Sequence, residues 1–208
     1  MSSSTGSNIV NFGKKLKIGI GIPCLESDRD YLPTCMKGVN ELKNYGHDVI
    51  NYIDINDGKE GLKVVRKRIF NKLFDERSCD VVLQCDVDFF LMDEILRYIE
   101  KDRLVTFTFM KRKVSTFIEL IKFLISPNTW TGCYSIPRDI WKDIENKDAF
   151  DGNDTSVHRY CDSSRIKIKR VRLPKYWVLR PSQKYSEERD FIKSLPFIKR
   201  ITKMFSWW

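Results

Sequence analysis

Residues 80–88 read Asp-Val-Val-Leu-Gln-Cys-Asp-Val-Asp, a short apolar run closed by two carboxylates one residue apart. An apolar run of this length without polar alternation is typical of a strand buried on both faces, as in parallel sheets. Ligands of open α/β sheets lie beyond the carboxyl ends of the strands. The two acids therefore stand where chemistry is expected.

Toward the N-terminus the same unit repeats. Residues 16–22 are β-branched and apolar and run into Pro23, and residues 31–45 place Leu32, Cys35, Val39 and Leu42 at helical spacing before the breaker Gly46. Residues 48–53 form a second apolar run, and residues 60–74 bring Leu62, Val65, Ile69 and Leu73 into helical register. After the acids, residues 94–101 read as a helix and residues 104–109 as a fourth strand. Residues 14–110 thus predict a β-α-β-α-β-α-β series, an α/β Rossmann-like sheet of the nucleotide-binding kind flanked by helices.

The second half is less regular. Thr116 with Glu119 can cap a helix to Ile125, residues 131–136 read as a strand, and Pro137 sits at the first position of a helix through Ile144. Residues 154–161 add a helical segment, and residues 165–173 alternate basic and apolar side chains as a half-exposed strand does. This half predicts a smaller α+β lobe. The expected division is a flexible tail over 1–13, a nucleotide-binding half over 14–110, a second half of the same domain over 111–182, and a C-terminal helix over 183–208.

Composition excludes several classes. The 208 residues are 42% hydrophobic and 31% charged, too apolar and too mixed in sign for wholesale disorder. The greasiest segment, residues 114–125, carries Glu119 and Lys122 and falls short of the roughly 18 apolar residues that span a bilayer. Residues 1–8 are Ser-rich, with neither a basic nor an apolar stretch, and read as a loose tail rather than a signal peptide. A cytoplasmic protein is expected. The six cysteines form no C-x-x-C and only two histidines accompany them, so a zinc site is not expected and the thiols read as buried apolar groups.

The net charge of +9 is unevenly placed: residues 165–208 hold 13 basic and 3 acidic side chains. In the last stretch Phe197, Ile198, Ile201, Met204 and Phe205 share one helical stripe, with Lys199, Arg200 and Lys203 off it and Trp207-Trp208 at the end. This basic amphipathic helix suits the interface of an anionic membrane, docking on the protein's own core, or a second copy. With the first, the protein would sit at the inner face of a membrane.

Taken alone, Asp86 and Asp88 could hold a hard divalent cation between them and a phosphate, or one could cap the helix beginning near Asp93. With its surroundings the pair resembles that of the GT-A fold glycosyltransferases, especially the small inverting members that use nucleotide-sugars. The resemblance covers roughly residues 16–180. It implies that Pro23, Cys24 and Glu26 after the first strand hold the nucleoside, and that Asp54, or Asp57, meets the base. Arg66, in Val65-Arg66-Lys67, matches a basic donor-binding residue on the following helix. Asp86 would lie near the ribose and Asp88 on Mn²⁺ or Mg²⁺, with Asp86 as a second ligand.

Residues 131–138 resemble the strand and helix start beneath the acceptor site, and residues 150–154 the late acidic segment whose final acid, here Asp154, is the general base. Trp130 could stack on a sugar or pack in the interior, and Gly132 lies beside it. Many members carry a His at the end of the last strand, whereas Trp177-Val178-Leu179 here leads to Arg180; either the metal would be held by Asp88, water and the diphosphate alone, or Arg180 would contact the diphosphate directly. His158, one turn after Asp154, either takes a role in the site or is a surface residue.

The implied reaction moves a sugar from a UDP- or GDP-sugar to a hydroxyl of a glycan, protein or lipid-linked acceptor, with inversion. Two other readings compete. A haloacid-dehalogenase-like phosphohydrolase would use Asp86 and Asp88, but its pair follows the first strand of its core. A nucleic-acid-binding protein would use the basic tail but leaves the acids unexplained, and no nucleic acid is expected.

Overall fold

A computed structural model describes residues 15–43, 46–88, 91, 93–110 and 133–176. Among these residues six strands form one sheet: β1 (Lys17–Leu25), β2 (Asp48–Asn56), β3 (Val81–Cys85), β4 (Leu104–Met110), β5 (Cys133–Pro137) and β6 (Ile168–Tyr176). Their order is β2-β1-β3-β5-β4-β6. β1 is parallel to both β2 and β3, and β6 is parallel to β4. β5 runs antiparallel between β3 and β4.

The four strands read in residues 14–110 are all present, but β4 is not the neighbour of β3. The inserted β5 is buried along its whole length, as an apolar run at the centre of a sheet must be. β5 and β6 join the same sheet as the first four strands, so both halves of the chain share one layer.

Helices cover both faces. On one side α1 (Leu32–Leu42) buries Cys35, Val39 and Leu42 against Ile18, Ile20 and Ile22 of β1. A 3₁₀ turn (Asp93–Tyr98) packs Ile95 and Leu96 into the same cluster. The spacing predicted an α-helix here; burying two consecutive side chains suits the tighter three-residue turn.

On the opposite face lie α2 (Leu62–Asn71), α3 (Arg138–Asn146) and α4 (Asp154–Ser163). The ring of Phe70 on α2 lies 4.2 Å, centroid to centroid, from that of Trp141 on α3 in a tilted arrangement, and both meet the Phe150 ring. After Asn71 the helix widens into a π turn (Lys72–Glu76) that buries both Leu73 and Phe74. α2 comes unusually close to β1 because Gly21 has no side chain. A Cβ there would lie 2.4 Å from Ile69 Cγ2.

All six cysteines are buried and unbridged, as apolar groups. β1 and β2 extend three residues beyond their predicted ends. Pro23 and Asp54 therefore lie inside paired strands, opposite each other. Pro23 is tolerated because β3 pairs only with residues 18–21 of β1, so its missing N–H faces no second neighbour.

Candidate active site

The carboxyl ends of β1, β2 and β3 open on one edge of the sheet, and the amino ends of α2 and α4 converge on it. Asp86 follows β3 directly, and Asp88, half-buried, sits in the turn after it. Asp154 is the first residue of α4, delivered by the turn Asp151-Gly152-Asn153. Asp151 holds this turn by accepting the Asn153 N–H at 2.8 Å, while Ser156 Oγ donates to the Asn153 carbonyl at 2.7 Å. Gly152 has φ of +97°, and a Cβ there would lie 2.6 Å from the Lys63 nitrogen at the start of α2. Only glycine lets the two helix ends meet this closely.

Arg66 is the centre of the site. It projects from α2 toward the sheet and is 4% exposed. Its Nη1 donates to Asp154 Oδ1 at 2.7 Å and to the Gly152 carbonyl at 2.8 Å, and its Nη2 donates to Asp86 Oδ1 at 3.1 Å. One guanidinium thus bridges the acid after β3 and the acid at the start of α4, 68 positions later in the chain. A planar fork with donors on two nitrogens can do this, where an ammonium could not hold the same angles.

Two carboxylates share one buried cation, so the compensation is incomplete. Burial raises the Asp154 pKa to about 6, with Asp86 adding to the rise and Arg66 opposing it. Burial likewise raises Asp86, against the pull of Arg66. Asp154 keeps 14% of its side-chain surface and Asp86 keeps 39%, so both carboxyls reach the open edge. A carboxyl poised near neutral pH in a cleft is a candidate acid or base.

The other expected donor contacts are placed differently. Asp54 is 6% exposed, and both its oxygens accept from Arg68, at 2.6 and 3.1 Å, while Arg68 also grips Glu60 at 2.6 Å. Its carboxylate is thus engaged within the protein. Asp57, in the following loop, pairs with Lys59 at 2.6 Å. Cys24 is buried, and Glu26 is exposed and paired with Arg29. His158 lies half-buried on α4, where burial lowers its pKa. Trp130, Gly132 and Arg180 lie outside the described residues, as do the predicted helix over 116–125 and the basic C-terminal helix.

Sequence reading did not single out Tyr134 or Gln84, which lie fully buried on the sheet face that α2 covers. Polar side chains within two mostly apolar central strands were the available signal.

Among the described residues no three His, Cys, Asp or Glu side chains gather into a cation site, and no helix is long and apolar enough to cross a membrane. No family model matches the sequence, and no curated protein is significantly similar to it. Solved structures do match. The catalytic domain of Drosophila β1,4-galactosyltransferase 7, in complex with xylobiose, superposes with a TM-score of 0.58 at 13% identity, over 82% of this chain and 73% of that one. The 4-diphosphocytidyl-2C-methyl-D-erythritol synthase of Anaerococcus prevotii gives 0.52 at 14% identity, over 80% and 94%. The fold is of the GT-A type. In this GT-A sheet the D-x-D follows the third strand, which gives the phosphohydrolase reading no support.

Proposed function

We propose that the protein is a glycosyltransferase that moves a sugar from a nucleoside-diphosphate sugar to an acceptor hydroxyl with inversion. The observation that carries this reading is the Arg66 bridge, which sets a half-neutralised carboxyl, Asp154, across the open sheet edge from the Asp86-Val87-Asp88 turn. Asp154 is the general base. Its Oδ1 is held by Arg66, and Oδ2 takes the proton of the acceptor hydroxyl as that oxygen attacks C1 of the sugar. With the base on the far side of the sugar from the diphosphate, displacement is in line and the anomeric configuration inverts.

A divalent cation fits this edge chemically. Asp86 and Asp88 offer hard oxygens, and Asp86 and Asp154 share the one guanidinium of Arg66, leaving negative charge to be balanced. Because two acids do not complete a coordination shell, water and the diphosphate would supply the remaining ligands. Mg²⁺ or Mn²⁺ held there would neutralise charge on the departing diphosphate. Asp86 would also face the ribose, and Arg180 the diphosphate. Residues 14–110 serve the donor, with Pro23, Cys24 and Glu26 at the nucleoside. Residues 111–182 serve a glycan, protein or lipid-linked acceptor, with Trp130 and Gly132 at the sugar. The basic C-terminal helix would bring the enzyme to an anionic membrane carrying a lipid-linked acceptor.

Asp54 would meet the nucleobase only through an oxygen lone pair that Arg68 does not occupy, or after Arg68 turns away. Calorimetry with UDP-, GDP- and dTDP-sugars, with and without Mn²⁺, tests the reading on the wild type and on Asp88→Ala. Metal-dependent binding of one sugar nucleotide, lost in the variant, is the expected result. Binding of CTP but of no sugar nucleotide would move the assignment to nucleotidyl transfer.

A further inference from the structure

The short stretch from Asp151 to Ser156 carries Asp154 into the open edge of the sheet, and the residues on either side of it are pinned. Phe150 packs edge-on against Phe70 and Trp141, and Val157 is fully buried in the same apolar cluster. Between these anchors Gly152 lies against the Lys63 backbone and gives its carbonyl to Arg66 Nη1 at 2.8 Å. Whatever ties the rest of the stretch together decides where the Asp154 carboxyl stands.

Asn153 holds the N-cap position of α4 with an extended backbone, and an asparagine there ordinarily accepts an N–H of the first turn with its side chain. Among the described residues it makes no such bond. Ser156, three positions on, joins the turn to the helix instead. Its Oγ donates to the Asn153 carbonyl at 2.7 Å and accepts the Asp151 N–H at 3.3 Å, while its own N–H reaches the same carbonyl at 3.1 Å. One hydroxyl thus closes a ring around Gly152, Asn153 and Asp154. Ser156 is only 6% exposed, so water does not readily replace these bonds once they are lost. Asp151 adds an outer brace, its Oδ1 accepting the Asn153 N–H at 2.8 Å. Both acceptors of Arg66 Nη1, the Gly152 carbonyl and Asp154 Oδ1, belong to this ring and move with it.

We propose that Ser156 is a positioning residue: by tying the Asp151 N–H to the Asn153 carbonyl it holds Asp154 in the partly buried place where Arg66 orients it. Ser156 acts through the backbone and takes no part in the chemistry. No proton passes through its hydroxyl. This role deepens the glycosyltransferase reading and rests on it for its kinetic consequence only.

The test is a pH titration of protein carrying ¹³C at the aspartate carboxyls, followed by NMR, with the Asp154 signal assigned by its loss in Asp154→Asn. In the wild type its midpoint should lie at about 6, burial being the largest influence on the group. In Ser156→Ala the turn loosens and the carboxyl gains water, so the midpoint should fall toward the ordinary 3.8, the proton affinity dropping about threefold or more. Ser156→Thr, which keeps the hydroxyl, should restore the wild-type midpoint. If Ser156→Ala does not fold, Ser156→Cys decides alone, since a thiol nearly matches the shape but bonds weakly. A midpoint that is unchanged or raised in the folded variant overturns the proposal. Transfer kcat should drop by about 5- to 20-fold in Ser156→Ala with the donor KM unchanged. Made in the Asp154→Asn background, the same change should cost nothing further, because no base is left to position, whereas a merely structural loss would persist there. A lowered midpoint with unimpaired transfer would refute Asp154 as the base and leave its placement by Ser156 standing.

Discussion

Arg66 Nη1 lies 2.7 Å from Asp154 Oδ1, joining the middle of α2 to the first residue of α4 across 88 positions of sequence. The same nitrogen holds the Gly152 carbonyl, and its sister Nη2 holds Asp86. Because the guanidinium is buried and each carboxyl is partly open, the arrangement is asymmetric. The cation is buried, and the anions face outward.

Removing the charge of Asp154 while keeping its shape separates catalysis from binding. Asp154→Asn is expected to lower kcat by about 10²–10⁴ with donor affinity unchanged. Sugar transfer followed by chromatography, beside donor calorimetry, checks this. Unimpaired transfer by the folded variant would remove Asp154 as the base.

The raised pKa of Asp154 has two pH signatures. Transfer should decline as pH falls through about 6, where the base takes up a proton. Stability runs the other way. The folded pKa lies above the ordinary value of 3.8, so between these values the folded state binds more protons than the unfolded one. The Asp154 contribution therefore weakens as pH rises from about 4 to about 6, by on the order of 1–3 kcal/mol in total. Carboxylates such as Asp80 and Asp143, held below their ordinary range by lysines and hydrogen bonds, act with the opposite sign. Urea titrations of wild type and Asp154→Asn across this range isolate the difference.

Arg66→Leu should be among the most damaging single changes outside the apolar core. It strands Asp86 and Asp154 without their shared cation, a loss of about 3–5 kcal/mol. Arg66→Lys should recover only part of this, since one ammonium cannot address both acids and the Gly152 carbonyl. Chemical denaturation of the two variants measures both numbers.

Gly152→Ala combines a left-handed backbone with a Cβ set against Lys63. The expected cost is about 1–3 kcal/mol. Urea titration measures it, and Gly61→Ala, with open space around its Cβ, should cost little by the same measurement.

Arg68 tests the nucleobase contact. Arg68→Met frees both oxygens of Asp54 while leaving that buried carboxylate unpaired, and should destabilise the fold by about 1–3 kcal/mol. If Asp54 meets the base once released, sugar-nucleotide affinity rises in this variant and falls in Asp54→Asn. Equal affinities by calorimetry in both would exclude the contact.

The fold was legible where local rules dominate. The runs at β1, β2 and β3 and the apolar stripes of α1 and α2 follow from residue period and breakers alone, because a strand or helix presents its neighbours at fixed spacing. The D-x-D was legible for the same reason: its place after an apolar run puts it at the mouth of a sheet. The insertion of β5 between β3 and β4 was not legible. Strand order is decided by which faces and edges pack together, and nothing within residues 133–137 states which neighbours they will take.

By itself the sequence determined most of the element types, the carboxylates at the sheet edge and the concentration of positive charge near the end of the chain, all properties of short segments. Only the tertiary structure decided their partners. It gave Arg66 to Asp86 and Asp154, and Arg68 to Asp54, although the two arginines stand two residues apart on one helix. Side chains two apart on an α-helix point in different directions, so one turns inward to the site and the other outward to β2. The sheet beneath then determines what each of them meets.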